Sequence, residues 1–317
     1  MQQVGRKPGT YEKNPTLGFI GFHSSFNVVL NHITLALRDE FPFAVVDIDK
    51  GEVPEYLFFS VFGQKHLAPH YNDCVKIFTC KENIRTPWEE CDFAMTGDRL
   101  SMPDEQHLRM PIYARYLFHL RDHTGRTILK PADLDPKAIL AKKTKFCNFV
   151  YSNPGAKERI LFFRMLSKYK QVDAGGAVEN NMGGRKVADK LAFLEAYKFT
   201  IAFENSRFPG YVTEKIVEPM VASSIPIYWG CRSIGLDFNP FSFVHANEPV
   251  GSRSSELEHH FEHVIRKIAW LDTHDDDYCK MMAEPWFAGN VPNQYCMPHD
   301  LINFMRMVFT YHKRGST

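Results

Sequence analysis

The sequence predicts an α/β protein of two Rossmann-like domains, and three observations carry that prediction. Short apolar segments alternate with amphipathic ones from Thr16 onward, the pattern of a parallel sheet covered by helices. The chain has 317 residues, enough for two domains with separate cores. Residues 199–230 read as strand, glycine-containing turn, helix and strand, a βαβ unit. A charged stretch between Arg121 and Lys145 suggests a division into an N-terminal domain, 1–145, and a C-terminal domain, 146–317.

In chain order, residues 1–14 are polar and carry Gly5, Pro8 and Gly9, so they are expected to form a poorly ordered lead-in. Residues 17–22, 43–48 and 56–61 read as the first three strands, with an amphipathic helix over 27–41 between the first two. Residues 74–79 and 91–95 continue as strands. The second domain opens with a strand over 146–152 and a helix over 156–169. The pairs Gly175-Gly176 and Gly183-Gly184 bracket AVENNM with the wrong spacing for a dinucleotide fingerprint, which predicts a flexible loop. Helices are expected over 254–271, 275–283 and 299–311.

Composition narrows the function. Hydrophobic residues make up 44% and charged residues 24%, as in soluble globular proteins, and no stretch approaches the ~18 apolar residues of a membrane span. The formal net charge of +1 gives no global field to recruit nucleic acid, so any phosphate binding must be local. Seven cysteines, an odd number without a C-x-x-C pair, argue against a disulfide framework and a zinc knuckle. They read as small buried residues in a reducing compartment.

The central βαβ unit carries chemistry. Residues 199–203 and 225–229 suit buried parallel strands, with Pro226 near a strand start where a missing donor matters least. Val212, Ile216, Val217 and Met220 share one helical face, so Glu214, Lys215 and Glu218 point elsewhere. Gly210 permits a tight turn before the helix, whose opening N–H groups attract phosphate. Lys215 adds a full charge there, and Glu214, acceptor-only when ionised, suits a pair of sugar hydroxyls. A normally capped surface helix has the same spacing, so spacing alone leaves both readings open. Pro219 cannot donate to the carbonyl of Lys215, which predicts a kink.

The string FENSRFPGYVTEK at 203–215, followed by IPIYWG at 225–230, resembles the donor-binding signature of the α-1,3/4-fucosyltransferases, bacterial members above all. Weaker similarities keep the family's order: FTCKEN at 78–83, RMPIY at 109–113, SNPGAKER at 152–159 and DFNPFSFV at 237–244. The resemblance implies a GT-B architecture, two Rossmann-like domains facing a cleft, the first for the acceptor and the second for GDP-fucose. It implies inverting transfer of L-fucose to the 3-hydroxyl of N-acetylglucosamine in a lactosamine-type (Lewis-type) glycan. A different acceptor or linkage, and a catalytically silent binding module, stay open. GDP-fucose and an oligosaccharide are the implied partners, with no obligatory metal or cofactor and with manganese stimulation left open. The expected location is cytoplasmic, compatible with peripheral membrane contact.

The implied roles fall on named residues. Glu82 matches the position of the family's catalytic carboxylate, but Lys81 and Cys80 stand where relatives carry glycine and threonine, so Glu89, Glu90 and Asp92 remain alternatives. Arg159 and Lys215 match the cations that hold the leaving phosphate, with Arg164 a nearby rival for the first. Asn205, Tyr211 and Glu214 complete the donor contacts, Glu214 on the ribose. His274-Asp275-Asp276-Asp277 resembles a metal motif of another fold and reads here as a helix start capped by Thr273.

Overall fold

The computed structural model of the chain describes residues 14–28, 31–99, 104–117, 125–249, 251 and 256–311, so the lead-in expected at 1–14 lies, but for Asn14, outside the described residues. The chain divides into two compact units, one of Met1–Pro111 with Gln294–Thr317 and one of Ile112–Asn293.

The first unit is built on a six-stranded sheet of β1 (Thr16–Ile20), β2 (Ala44–Val45), β3 (Tyr56–Phe59), β4 (Val75–Thr79), β5 (Phe93–Thr96) and β6 (His107–Arg109). Its order is β2-β1-β3-β4-β5-β6 and every pairing is parallel. Parallel strands are covered on both faces, and β3 shows why the sequence reads as a continuous apolar run. Tyr56 and Phe58 enter one core, while Leu57 and Phe59 enter the other. Helix α1 (His32–Leu37) is shorter than expected because Asn31 caps it, its Oδ1 accepting from the N–H groups of Ile33 and Thr34 at 2.9 and 3.1 Å.

The last helix, Pro298–Thr310, lies in this first unit. Leu301, Phe304, Met305, Val308 and Phe309 join its core, and Tyr56 donates its hydroxyl to the carbonyl of Phe309 at 3.0 Å. Each such side chain contributes on the order of 2 kcal/mol by leaving water. The boundary expected at 145/146 therefore differs from the observed division at both ends. The described residues of 112–145 belong to the second unit, where helical residues 112–117 (α2) and helix α3 (Pro136–Ala141) lie. There Lys130 and Asn290 exchange two hydrogen bonds, at 2.9 and 2.7 Å.

The second unit has a five-stranded parallel sheet of β7 (Lys145–Phe149), β8 (Val172–Ala174), β9 (Tyr197–Phe203), β10 (Ile225–Trp229) and β11 (Val244–His245), in the order β11-β10-β9-β7-β8. Besides α2 and α3 it contains helices α4 (Lys157–Tyr169), α5 (Lys190–Glu195), α6 (Glu214–Val221), α7 (Leu257–Thr273) and α8 (Asp275–Ala283), which makes Pro298–Thr310 helix α9. Phe162 of α4, Phe203 of β9 and Phe261 of α7 pack with ring centroids 4.8 to 5.9 Å apart, fixing α4 and α7 on one face. Strand order reverses between β7 and β9, the topological switch point where ligands of such sheets bind.

Two local expectations change, while helix α6 runs from Glu214 to Val221 with Pro219 inside it and ends two residues after it. The 175–184 segment is tightly fastened rather than loose. Asn181 bridges Val172 and Ala174, and Asn180 bonds to the backbone of Gly176, Met182, Gly184 and Arg185. Thr273 is the last residue of α7, its hydroxyl bonded back to Ala269 and Trp270 at 3.0 and 3.2 Å, and His274 takes the cap position of α8. Asp275, Asp276 and Asp277 do occupy the first turn of α8.

Candidate functional site

The switch point of the second sheet collects the first group of site residues. After β7 the chain passes through 150–156 into α4, whose cap residue Ala156 supplies no side-chain bond to the opening N–H groups. Arg159, in the first turn, is only 1% exposed. Its Nη2 donates to Oδ1 of Asn205, two residues beyond β9, at 2.6 Å. Its guanidinium lies 3.8 Å from the ring centroid of Tyr151, whose hydroxyl donates to the carbonyl of Ile201 and accepts from the N–H of Phe203 at 2.7 and 3.0 Å. Burial lowers the pKa of Arg159, opposed by Tyr151 and Glu204. Its Nε and Nη1 are buried without a partner among the described residues, each at a cost of about 1–3 kcal/mol. A buried cation with two idle donors is a receptor for an anion. Arg164 is exposed and bonds Glu179 at 2.7 Å, so it takes no part in this group.

The second group is the start of α6. Phe208 accepts from the N–H of Tyr211 at 3.1 Å, and Gly210 between them has φ +83°, the arrangement of a type II turn with Pro209 at its second position. The turn buries Tyr211, which is 6% exposed. Thr213 caps α6, its hydroxyl accepting from the N–H of Lys215 at 3.3 Å. That cap uses one of the N–H groups expected to await phosphate. The Lys215 ammonium bonds Thr213 Oγ1 at 3.1 Å and Glu214 Oε1 at 3.2 Å, with Glu204 Oε2 at 3.6 Å. Burial pushes the Glu214 carboxyl up, but Lys215, a backbone N–H and Lys190 together outweigh it and hold the group below the usual range.

The residue that sequence reasoning passed over is Glu204. It is fully buried and accepts from Thr213 twice, from N–H at Oε1 and from the hydroxyl at Oε2, both at 2.8 Å. Burial pushes its carboxyl up to about 7, against the lowering by Lys215 and by Thr213. Gly230, at φ +151°, makes room for it: a Cβ there would lie 2.6 Å from Glu204 Cγ. The only sequence signal was an acidic residue directly after an apolar strand. Beside this group Arg207 meets Glu248 through two bonds of 2.6 Å, with its guanidinium 4.7 Å from the Trp229 ring centroid.

In the first unit, Glu82 is exposed on the loop after β4, and its carbonyl accepts from Cys80 Sγ at 3.6 Å. Two of its rivals are already engaged. Glu90 bonds His66 Nε2 at 2.9 Å, and Asp92 accepts from the N–H of Lys76 at 2.8 Å. Glu89 is exposed like Glu82. Among the described residues, no three His, Cys, Asp or Glu side chains form a group able to hold a metal ion.

Known proteins share the family domains and the fold. The domain described as "Alpha-(1,3)-fucosyltransferase FucT N-terminal domain" matches residues 17–116, and "Glycosyltransferase family 10 (fucosyltransferase) C-term" matches residues 140–279. The alpha-(1,3)-fucosyltransferase FucT of Helicobacter pylori is 31% identical over 258 residues, which cover 74% of this chain and 52% of the relative. The chain thus spans about half the length of that curated relative, and less of the next ones. A crystal structure of an alpha1,3-fucosyltransferase superimposes with a TM-score of 0.79 at 25% identity, over 97% of this chain and 93% of that one. A crystal structure of an alpha1,3-fucosyltransferase with GDP-fucose does so with 0.75 at 24% identity, over 98% and 94%. Two family domains in the expected order, on two parallel-sheet units of the GT-B class, place the chain in glycosyltransferase family 10, the fucosyltransferases.

Proposed function

We propose that the chain is an inverting α-1,3-fucosyltransferase that moves L-fucose from GDP-fucose to the 3-hydroxyl of N-acetylglucosamine in a lactosamine-type, Lewis-type glycan. The observation that carries this reading is Arg159, buried at the switch point with two idle donors beside Asn205. It has the chemistry to hold a diphosphate. Relatives named as α-1,3-fucosyltransferases, one of them solved with GDP-fucose, support the choice of donor.

The acceptor oxygen attacks the anomeric carbon from the face opposite GDP. As that C–O bond forms, the bond to the β-phosphate oxygen breaks and its electron pair leaves with GDP. Glu82, exposed on the loop after β4, takes the hydroxyl proton. Arg159 and Lys215 hold the growing charge on the leaving phosphate, at the size of other preorganised electrostatic groups, about 10²- to 10³-fold in rate each. Asn205 and Tyr211 line the nucleotide-sugar, and Glu214 receives the ribose hydroxyls. We place the protein in the cytoplasm on the strength of its seven free thiols.

The test is GDP release from GDP-fucose with N-acetyllactosamine, with lactose and with no acceptor. Turnover on N-acetyllactosamine supports the reading. Turnover only on other acceptors moves the linkage, and GDP binding without turnover on any acceptor makes the chain a silent binding module. Glu82→Gln abolishes transfer and leaves GDP affinity nearly intact, whereas Arg159→Ala or Lys215→Ala weakens both. Undiminished transfer by Glu82→Gln would move the base to Glu89.

A further inference from the structure

Glu204 has no part in the steps above, yet the site is built around it. It bonds both the N–H and the hydroxyl of Thr213, it lies 3.6 Å from the Lys215 ammonium, and Gly230 lacks the Cβ that would collide with it. As a fastener for a helix cap alone, a carboxylate is a poor choice. A neutral amide can make two bonds of the same length without taking a charge out of water. What the carboxylate adds is negative charge beside a phosphate-binding lysine.

The charged and titratable groups that face Glu204 come from four elements. Lys215 and Glu214 stand on α6, Arg159 on α4, Tyr151 just beyond β7, and Tyr228 on β10. Burial keeps both phenols neutral near pH 7. Lys215 and Arg159 favour the ionised carboxylate, while burial and Glu214 oppose it, leaving the carboxyl poised near neutrality.

We propose that Glu204 is a positioning residue whose proton is linked to the donor: ionised in the empty site, where it holds Thr213 and Lys215, and protonated once a nucleoside diphosphate lies against Lys215 and Arg159. The inference rests on the donor site proposed above. A diphosphate brings at least two negative charges. At a separation of roughly 7 Å and an effective dielectric constant of about 20, each raises the pH at which a buried carboxyl ionises by on the order of one. At pH 8 an acid that ionises near 7 is mostly charged in the empty site and mostly protonated in the filled one. The protonated acid can still bond both groups of Thr213, and Lys215, left with Glu214 as its one anionic neighbour in this group, turns more of its charge to the phosphates.

The experiment is calorimetry of GDP binding to the full chain at pH 8, where the GDP phosphates are already ionised, in HEPES and in Tris, which differ in ionisation enthalpy. The expected result is uptake of about 0.8 proton per GDP at pH 8, with Kd rising about fivefold from pH 8 to pH 9. Glu204→Gln still binds GDP and takes up no proton, a difference that a purely structural role does not produce. Binding without proton uptake, or uptake that persists in Glu204→Gln, overturns the proposal and leaves the donor reading standing. No binding of GDP overturns both. Should the variant fail to fold, the wild type decides: with ¹³C-labelled glutamate, GDP at pH 8 must add a protonated-carboxyl stretch to the infrared difference spectrum. Its absence overturns the proposal.

Discussion

Nη2 of Arg159 lies 2.6 Å from Oδ1 of Asn205, joining the first turn of α4 to the residues that leave β9. Because β7 and β9 are neighbours although β8 intervenes in sequence, this bond spans the point where strand order reverses. It holds one edge of the guanidinium, and Nε and Nη1 are the atoms left for a ligand.

Arg159→Lys tests that division of labour. A lysine keeps the charge but has one nitrogen, so it cannot bond Asn205 and a diphosphate with the geometry of a planar fork. We expect GDP affinity to fall about 10- to 100-fold, one or two charge-assisted hydrogen bonds, with a stability loss of about 1–3 kcal/mol. Titration calorimetry with GDP and urea unfolding measure the two. Undiminished GDP affinity would show that the guanidinium is not a phosphate ligand.

Gly230→Ala probes the space kept for Glu204. The added Cβ would meet Glu204 Cγ at 2.6 Å and Cβ at 2.9 Å, and φ is +151°. Overpacking and backbone strain together are expected to cost about 2–4 kcal/mol, and displacing Glu204 should also raise the Kd for GDP. Gly184→Ala is the control, since its φ of +76° brings strain but nothing lies within 4 Å of the new Cβ. It should cost about 1 kcal/mol and leave GDP affinity alone. Equal urea midpoints for the two variants would reject the packing argument.

Most of the second unit's central βαβ region was legible in the sequence because its signals are local. Residues 199–203 and 225–229 are apolar because both faces of a parallel strand are covered, and helix α6 follows the apolar positions 216, 217 and 220. The edge strands β6, β8 and β11, of two or three residues, are too short to show any periodicity. Strand β2 is just as short, and the apolar run at 43–48 overstated it. The place of α9 was illegible for a different reason. Its apolar face is plain, but which sheet it covers depends on contacts between residues such as Tyr56 and Phe309, far apart in the chain. Glu204 was missed because a carboxylate at the end of a strand ordinarily faces water. Only the fold shows Thr213 and Gly230 closing over it.

Glu248→Gln gives a pH-dependent prediction with a determined sign. Arg207 leaves β9, Trp229 ends β10 and Glu248 follows β11, so their cluster ties together the ends of three strands. Glu248 accepts from both terminal nitrogens of Arg207 at 2.6 Å, and from Trp229 Nε1 at 3.3 Å. Burial pushes its carboxyl up, but the bonds from Arg207 and the other donors prevail and bring it down to about 2, from an ordinary value of 4.5. An acid whose folded value is depressed stabilises the fold above its unfolded value, and that contribution disappears as pH falls toward the folded value. The difference in unfolding free energy between the wild type and Glu248→Gln should be about 2 kcal/mol and level from pH 8 to about 5. It should then shrink steadily toward pH 2 as the wild-type carboxylate takes up its proton. Urea unfolding of both proteins at several pH values measures it. A difference of the same size at pH 3 and pH 7 would mean that Gln loses shape rather than charge, and would remove the ion pair as the cause.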